Sequence, residues 1–368
     1  MESDNMKKAL IAMSGGVDSS VAAYLMKEHG YDCIGVTMKL FQNEDAGVSR
    51  KKSCCSLDDV EDARSVAHNL GIPYYVFNFT ADFETQVIEP FIHSYEQGRT
   101  PNPCIDCNRF MKFDKLLDFA FAHGLNYIVT GHYARIERDE NTGRYLLKKG
   151  VDEGKDQSYV LYNLTQHQLA HTIFPLGAYS KTQIREMAEQ QSFCNARKHD
   201  SQDICFVPDG DYVGFMEQYT GKRYPSGDFI DESGKKIGTH AGAVRYTIGQ
   251  RRGLGLPMGD RVYVCAKDME KNTVTVGPVE SLFAKRVIVR DMNWISVPGL
   301  TGEMRVKAKL RYRQKEQPAV ASPLDGDRIL LTFDEPQRGP AIGQAAVLYD
   351  GDTVVGGGTI CQAPPTKR

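Results

Sequence analysis

The chain is expected to be an α/β protein: a doubly wound parallel sheet followed by a small central β-rich domain and a C-terminal β-barrel. Three observations lead there. Between residues 7 and 130, short apolar runs alternate with helical periodicity. The first run leads into a glycine-rich loop, Ser14-Gly15-Gly16-Val17-Asp18-Ser19-Ser20, and the first helical pattern follows it directly. Beyond residue 206 the helical texture gives way to short strands and recurrent glycine turns. Strand and helix in strict alternation imply a parallel sheet covered on both faces, whereas closely spaced strands and turns imply a barrel or sandwich.

Taken in order, residues 9–13 form a strand and 21–29 a helix, 33–40 a strand and 60–70 a helix, and 74–79 a strand and 83–95 a helix. A helix at 113–123 then precedes a strand at 127–130. Residues 133–136 and 144–148 flank Asn141-Thr142-Gly143 and make a hairpin. Helical patterning returns at 166–172 and 181–191. Glycines at 221, 227, 234, 253, 255 and 259 then break the chain, with strands at 261–266 and 273–276. From about 281 to 360 the pattern is all strand, with turns at Pro298-Gly299, Asp325-Gly326 and Asp350-Gly351, and 362–368 is a loose tail. The expected domains are 1–206, 207–280 and 281–368, since 368 residues exceed a single comfortable core.

The Ser14–Ser20 loop lies where such sheets bind ligands, beyond the carboxyl end of a strand and at the start of a helix. Without a Cβ, Gly15 and Gly16 let backbone N–H groups close around phosphate oxygens, and the helix start favours the same anion. No Lys precedes the serine pair, so this is not the loop of ATPases that transfer the γ-phosphate. It resembles instead the SGGxDS loop of the PP-loop ATP pyrophosphatases, which cleave ATP between the α- and β-phosphates. That resemblance implies ATP as substrate and Mg²⁺ on the side of Asp18.

With 41% hydrophobic and 25% charged residues, the composition is that of ordinary soluble protein. No apolar run approaches a membrane span and residues 1–8 lack the core of a secretory signal, so no membrane partner and a cytoplasmic location are expected. A net charge of -2 averages over domains and does not exclude a local basic face. Nine cysteines without an export signal point to reactive or metal-binding thiols rather than a disulfide scaffold. Cys104 and Cys107 lie in Arg99-Thr100-Pro101-Asn102-Pro103-Cys104-Ile105-Asp106-Cys107-Asn108-Arg109, which two prolines are expected to keep out of helix until about Phe110. Cys205 follows a basic cluster at Arg197 and Lys198. Nearby cations lower a thiol's pKa, so Cys107 near Arg109 and Cys205 near Lys198 are the candidate thiolates. Cys33, Cys194, Cys265 and Cys361 are expected to be small buried hydrophobes, and Cys54-Cys55 stays open between redox-active and incidental.

Several strings now combine. SGGVDSS at 14–20, GRTPNP at 98–103, Cys107-Asn108, TGHYAR at 130–135, KDQSY at 155–159, ICF at 204–206, TIGQRRGLG at 247–255 and RYR at 311–313 occur in one order along the chain. In that order they resemble the bacterial tRNA-specific 2-thiouridylases. The resemblance implies that ATP adenylylates the C2 oxygen of the wobble uridine of a tRNA and that sulfur from an enzyme persulfide replaces it. It makes Cys107 the nucleophile and Cys205 the persulfide carrier, able to close a transient disulfide, with sulfur supplied by a cysteine desulfurase or sulfur-relay protein. Ala12, Met13, Ser14, Gly15, Gly16, Val17, Asp18, Ser19, Met38 and Gly131 match the ATP contacts. Asn102, Pro103 and Cys104 match the loop that meets the target base, and Lys155, Asp156, Gln157, Arg311 and Tyr312 match tRNA contacts. Cys104 departs from the family pattern, where many relatives carry Asp. Together with Cys107 and Cys205 it makes a possible three-thiolate set for a [4Fe–4S] cluster, which stands beside a metal-free persulfide relay.

Two further readings concern charge and protons. Residues 281–315 carry nine Lys or Arg against two acids, Asp291 and Glu303. Arg305, Lys307, Lys309, Arg311, Arg313 and Lys315 alternate with Met304, Val306, Ala308 and Leu310, the period of a strand with one cationic face. Cations about 6.5 to 7 Å apart along such a strand suit successive phosphates, so it is expected to track the tRNA backbone. Tyr312 falls on the apolar side by this count, and its expected tRNA contact requires a bend. His132 is read as an orienting or structural residue, and Asp106 and Asp203 as the acids nearest the two cysteines. The competing functions are another PP-loop ligase or amidotransferase, which needs neither tRNA nor active thiols, and a non-catalytic RNA-binding iron–sulfur protein.

Overall fold

The computed structural model describes all residues except 1–6, 42–56, 201–203, 258–260 and 366–368. Cys54, Cys55 and Asp203 therefore lie outside the described residues. The chain divides into two compact units, one comprising Met1–Ile88, Pro103–Asp211 and Gly351–Val354, the other Glu89–Asn102, Tyr212–Asp350 and Val355–Arg368.

The first unit is built on strands β1 (Lys8–Ala12), β2 (Asp32–Lys39), β3 (Tyr74–Asn78) and β4 (Tyr127–Val129), then a hairpin of β5 (Ala134–Arg138) and β6 (Tyr145–Lys149), and β7 (Thr172–Ile173). Five of these form one sheet in the order β3-β2-β1-β4-β7, parallel at every pairing. The order steps one way from β1 through β2 to β3 and the other way through β4 to β7. The switch point between β1 and β4 is where such sheets open a crevice at the strand carboxyl ends. Helices α1 (Val17–Glu28) and α2 (Leu57–Leu70) pack against this sheet. The core is made of Ala9, Ile11 and Val129 from the strands with Val21, Ala22, Val66 and Ala67 from the helices.

The second unit holds two β assemblies. Strands β8 (Gly227–Ile230), β9 (Lys236–His240), β10 (Tyr263–Asp268) and β11 (Thr273–Gly277) pair in the order β10-β11-β8-β9 around Phe229, Val264 and Val274. Strands β12 (Phe283–Trp294), β13 (Met304–Lys309), β14 (Gln317–Pro323), β15 (Ile329–Arg338), β16 (Ala345–Asp350) and β17 (Thr353–Gln362) pair in the order β12-β15-β14-β13-β16-β17. The pairing of β17 back onto β12 closes them into a barrel. Val287, Val306, Leu331, Phe333 and Ile360 fill it. The expected fold class, a doubly wound sheet followed by a β-rich region and a barrel, is the one observed.

Four local expectations need correction. Helix begins at Pro103 rather than near Phe110 and continues to Ala122, with a π-helical stretch at Cys107–Lys115. Pro103 stands at the first helical position, where its missing N–H costs nothing. The helix read at 166–172 stops at Ala170, and Thr172–Ile173 becomes the edge strand β7. A helix at Tyr212–Thr220 opens the region read as purely strand. Finally, the cationic strand ends at Lys309, and residues 310–314 turn.

Candidate functional site

The loop after β1 is held by backbone geometry before any side chain acts. Gly15 has φ +74°, and a Cβ there would lie 2.2 Å from the carbonyl oxygen of Asp59. Only glycine fits that close approach. Gly16 is the residue that precedes α1, and its carbonyl accepts from the hydroxyls of Ser19 at 3.0 Å and Ser20 at 3.1 Å. The Ser14 amide donates to Ser19 Oγ at 3.1 Å. Beneath the loop, Met13 N donates to Val36 O at 2.8 Å, and Thr37 Oγ1, next to the buried Met38, donates to Met13 O at 2.6 Å. From the neighbouring strand end, Gly131 abuts the loop backbone: a Cβ there would meet Asp18 C and Ser19 N, both at 2.9 Å. The structure thus brings together Ala12, Met13, Ser14, Gly15, Gly16, Val17, Asp18, Ser19 and Gly131 at the switch point, with Met38 on the adjoining strand.

The segment around residue 195 clasps this loop. Asn195 Nδ2 donates to Gly15 O at 3.0 Å and Ser20 Oγ at 2.9 Å. Lys198 Nζ reaches Gly15 O at 3.2 Å and the carboxylates of Asp59 and Asp62, each at 2.6 Å. Lys198 is therefore engaged under the loop, not reserved for Cys205 as its place in the sequence suggested. On the loop's other side, Asp18 accepts from Tyr133 Oη at 2.7 Å and from Lys181 Nζ at 2.8 and 2.9 Å. Burial and the Asp18 charge push the Tyr133 hydroxyl pKa far up, so Tyr133 stays protonated and donates to Asp18. Lys181, 9% exposed, also reaches Asp200 Oδ1 at 2.7 Å, and Lys155 meets Asp200 Oδ2 at 2.7 Å. Burial raises the Asp200 carboxyl pKa, but the hydrogen bonds and charges of Lys155 and Lys181 outweigh it and bring it to about 2.

Asp156 and Gln157 serve the protein's own backbone. Asp156 accepts from the amides of Gly150 at 3.2 Å and Ser158 at 3.1 Å, and Gln157 Oε1 accepts from Tyr133 N at 3.0 Å. His132 is buried between the rings of Phe113 and Phe174 and shares a hydrogen bond of 2.6 Å with Thr130. Burial, aided by Lys112, drives its pKa well below the ordinary histidine range, so it is neutral and packed.

Cys107 stands where the 103–122 helix turns π-helical, and its neighbours are anchored on both sides. Asn108 Nδ2 donates to Val160 O at 3.1 Å, and Asn163 Nδ2 donates to Ile105 O at 3.2 Å. Cys104 and Cys107 are three residues apart on this helix, the spacing that puts both thiols on one face. Cys104 reaches solvent, yet crowding by surrounding protein raises its thiol pKa against the opposing charge of Lys112. The same crowding lifts the Asp106 carboxyl to about 6, with Arg109 opposing. Cys205 is half-buried, and the following Phe206 is fixed by an edge-to-face contact of 5.7 Å with Phe83. Cys104 and Cys205 are free thiols. Among the described residues no group of three or more His, Cys, Asp or Glu side chains is placed to hold a metal ion. Of the other cysteines, Cys33 is buried as expected, Cys265 and Cys361 are half-buried, and Cys194 is exposed, held by contacts to Asp62.

In the second unit, the loop before Pro103 is locked to the barrel. Thr100 N donates to Ile342 O at 2.9 Å, and Gln344 Nε2 donates to the carbonyls of Thr100 at 2.8 Å and Pro101 at 3.2 Å. Asn102 closes this loop. The turn at 310–314 carries Tyr312 to the surface, 39% exposed, with the Lys309 ammonium 5.6 Å from its ring centre. Arg311 donates to the carbonyls of Ile248 and Gly339, and Arg305 pairs with Asp334 across the sheet. Lys307, Arg313 and Lys315 are exposed.

Sequence reasoning did not single out Lys181, Asn195 or Asn163. Their partners lie 163, 180 and 58 residues away, and no short motif carries such a link. The one local hint is Lys181 at the start of a helix capped by Ser180, where a cation opposes the helix dipole and must be held by something else.

Residues 7–209 match the family described as tRNA methyl transferase HUP domain, residues 213–278 that of the tRNA methyl transferase PRC-barrel domain, and residues 284–360 the aminomethyltransferase beta-barrel domain. The tRNA-specific 2-thiouridylase MnmA of Clostridioides difficile (strain 630) is 51% identical over 354 residues, 96% of this chain and 98% of that protein. The protein of the same name from Heliobacterium modesticaldum (strain ATCC 51547 / Ice1) is 52% identical over 353 residues, 95% of this chain and 91% of its own. A third, from Acetivibrio thermocellus, is 50% identical over 355 residues, 96% of this chain and 99% of that protein. The domain descriptions speak of methyl transfer and the full-length relatives of thiolation. The relatives match nearly end to end at about half identity, and on that ground the chain belongs to the tRNA-specific 2-thiouridylase family.

Proposed function

We propose that this chain is an ATP-dependent tRNA uridine 2-sulfurtransferase. The observation that carries the reading is the loop 14–19: positive-φ Gly15, the start of α1 and the tight contact with Gly131 make an anion cradle, in a chain half-identical to the thiouridylases over their length. In this reading the uridine C2 oxygen attacks the α-phosphorus of ATP and pyrophosphate leaves. Asp18 suits one carboxylate ligand of the Mg²⁺ carried by ATP, the remainder being phosphate oxygens and water; the ion supplies charge neutralisation at the phosphates. The protein's own part is positioning: Gly15 and Ser14 through Ser19 hold the phosphates, and Met38 and Gly131 border the nucleotide.

Sulfur then arrives as a persulfide. A persulfide-bearing donor of the cysteine desulfurase or sulfur-relay class passes its outer sulfur to the Cys205 thiolate and keeps its own thiol. The Cys205 persulfide attacks C2, and AMP departs with the former uridine oxygen. The Cys107 thiolate attacks Cys205 Sγ, which releases 2-thiouridine and leaves a Cys107–Cys205 disulfide for a cellular thiol to reduce. Asn102, Pro103 and Cys104 meet the target base, and Lys155, Asp156, Gln157, Arg311 and Tyr312 contact the tRNA, Asp156 and Gln157 by holding their loop in shape. The division into 1–206, 207–280 and 281–368 assigns activation and sulfur transfer to the first part and tRNA grip to the last. Such an enzyme works where tRNA is found, in the cytoplasm.

The test is to incubate tRNA with the protein, ATP, Mg²⁺ and a persulfide donor, and to read nucleosides by mass spectrometry. The expected product is 2-thiouridine, absent without ATP and absent with Cys107→Ser or Cys205→Ser, while both variants still bind tRNA. Pyrophosphate release without tRNA, or thiolation by both variants, would refute the reading.

A further inference from the structure

The buried ammonium of Lys181 bridges two carboxylates that belong to different parts of the reaction. Asp18 lies in the phosphate loop, and both of its oxygens accept from Lys181, at 2.8 and 2.9 Å, with Oδ1 also accepting from Tyr133 Oη at 2.7 Å. Asp200 receives Lys181 at 2.7 Å and stands five residues before Cys205. Lys155 and Arg185 complete the cage around Asp200, at 2.7 and 3.3 Å. Asn195 and Lys198 tie the same chain segment to Gly15 O. Residues 195–200 are therefore stitched to the loop at Gly15 and, through Lys181, at Asp18. Lys181 is the only link among these that runs through the loop's acid.

We propose that Lys181 is a positioning residue that couples nucleotide in the 14–19 loop to the placement of the Cys205 thiol. The inference rests on the reading of that loop as an ATP site. An ion-carrying triphosphate competes for the oxygens of Asp18. Lys181 then gives up part of its hold there, and its remaining bonds, to Asp200 or to a phosphate oxygen, set a different position for the Asp200 segment. A ligand shifts such an equilibrium only through differential contacts, and Lys181 supplies them. Thermodynamic reciprocity follows: if nucleotide changes the state of the Cys205 segment, fixing that segment changes nucleotide affinity by the same factor.

The experiment measures the alkylation rate of Cys205 by iodoacetamide, read on its own peptide by mass spectrometry, with and without saturating α,β-methylene-ATP and Mg²⁺. Cys361, in the barrel, is the internal control. Titration calorimetry establishes saturation for each variant and separates this test from the ATP reading, which fails only if wild type binds no nucleotide. Nucleotide is expected to change the Cys205 rate by about fivefold or more in wild type, and to leave Cys361 unchanged. Lys181→Met and Asp200→Asn are expected to lose the response, and Lys181→Arg to keep it. The Asp200→Asn result stands even if Lys181→Met does not fold. A wild-type rate indifferent to bound nucleotide, or a response retained in Asp200→Asn, would overturn the proposal.

Discussion

Single residues at the loop carry sharp expectations because their neighbours are rigid. Gly15→Ala must relieve a 2.2 Å approach to Asp59 O and a positive φ at once. The φ strain alone costs about 1–3 kcal/mol, so thermal unfolding should show a clear loss of stability together with loss of nucleotide binding. Gly131→Ala is the subtler probe. Its φ is ordinary, and the added methyl presses on Asp18 and Ser19 rather than on the core. Calorimetry should find nucleotide affinity reduced by about tenfold, roughly 1.4 kcal/mol, with a smaller change in Tm than for Gly15→Ala. His132 yields a pH prediction. The folded protein keeps its imidazole neutral far below the ordinary value of 6.5, whereas the unfolded chain takes up a proton there. Stability from this site is thus present above about pH 6.5 and is lost as pH falls below it. Replacing His132 by Phe should flatten the fall in Tm between pH 7.5 and 5.5. An unchanged slope would mean that His132 is not buried as a neutral ring.

At the scale of elements, the turn after β13 divides one cationic run into two kinds of residue. Alternation correctly put Arg305 and Lys307 on the exposed face and Val306 and Ala308 inside, because a paired strand has a fixed period. It failed beyond Lys309, where pairing ends and periodicity has no hold. Arg311 turned inward to the carbonyls of Ile248 and Gly339, and Tyr312 turned outward. Accordingly, Arg311→Ala should lower Tm, since two carbonyls lose their donor. Lys307→Gln and Arg313→Gln should leave Tm nearly unchanged and weaken tRNA binding at every sequence. If each contacts a phosphate, each substitution reduces the slope of log K against log salt by about 1. Equal salt slopes in wild type and the double variant would remove these two cations from the interface. The helix at Pro103–Ala122 shows the opposite kind of failure: two prolines read as helix breakers, yet one of them sits at the permitted first position.

For the whole molecule, the alternation of strand and helix sufficed to define the parallel sheet, and glycine punctuation sufficed to define the β region. Strand order, barrel closure by β12 and β17, and the two-residue edge strand β7 did not follow from local pattern. They depend on pairings between distant segments, and a two-residue strand has no period to read. The candidate site divides in the same way. The backbone cradle was legible in Ser14 through Ser19 because glycine and serine in that order have a local purpose. The side chains that tension it, Tyr133, Lys181, Asn195 and Lys198, come from later in the chain and are visible only once it is folded. In the function proposed above, all of it serves one chemical sequence: an oxygen of the nucleobase is adenylylated, and the enzyme's sulfur displaces it.

That sequence leaves an isotopic trace. A tRNA transcript carrying ¹⁸O at C2 of the wobble uridine, thiolated in ordinary water, should release AMP that contains the label, because the uridine oxygen departs on the α-phosphorus. AMP bearing only solvent or unlabelled oxygen, alongside newly formed 2-thiouridine, would contradict activation of the base by ATP.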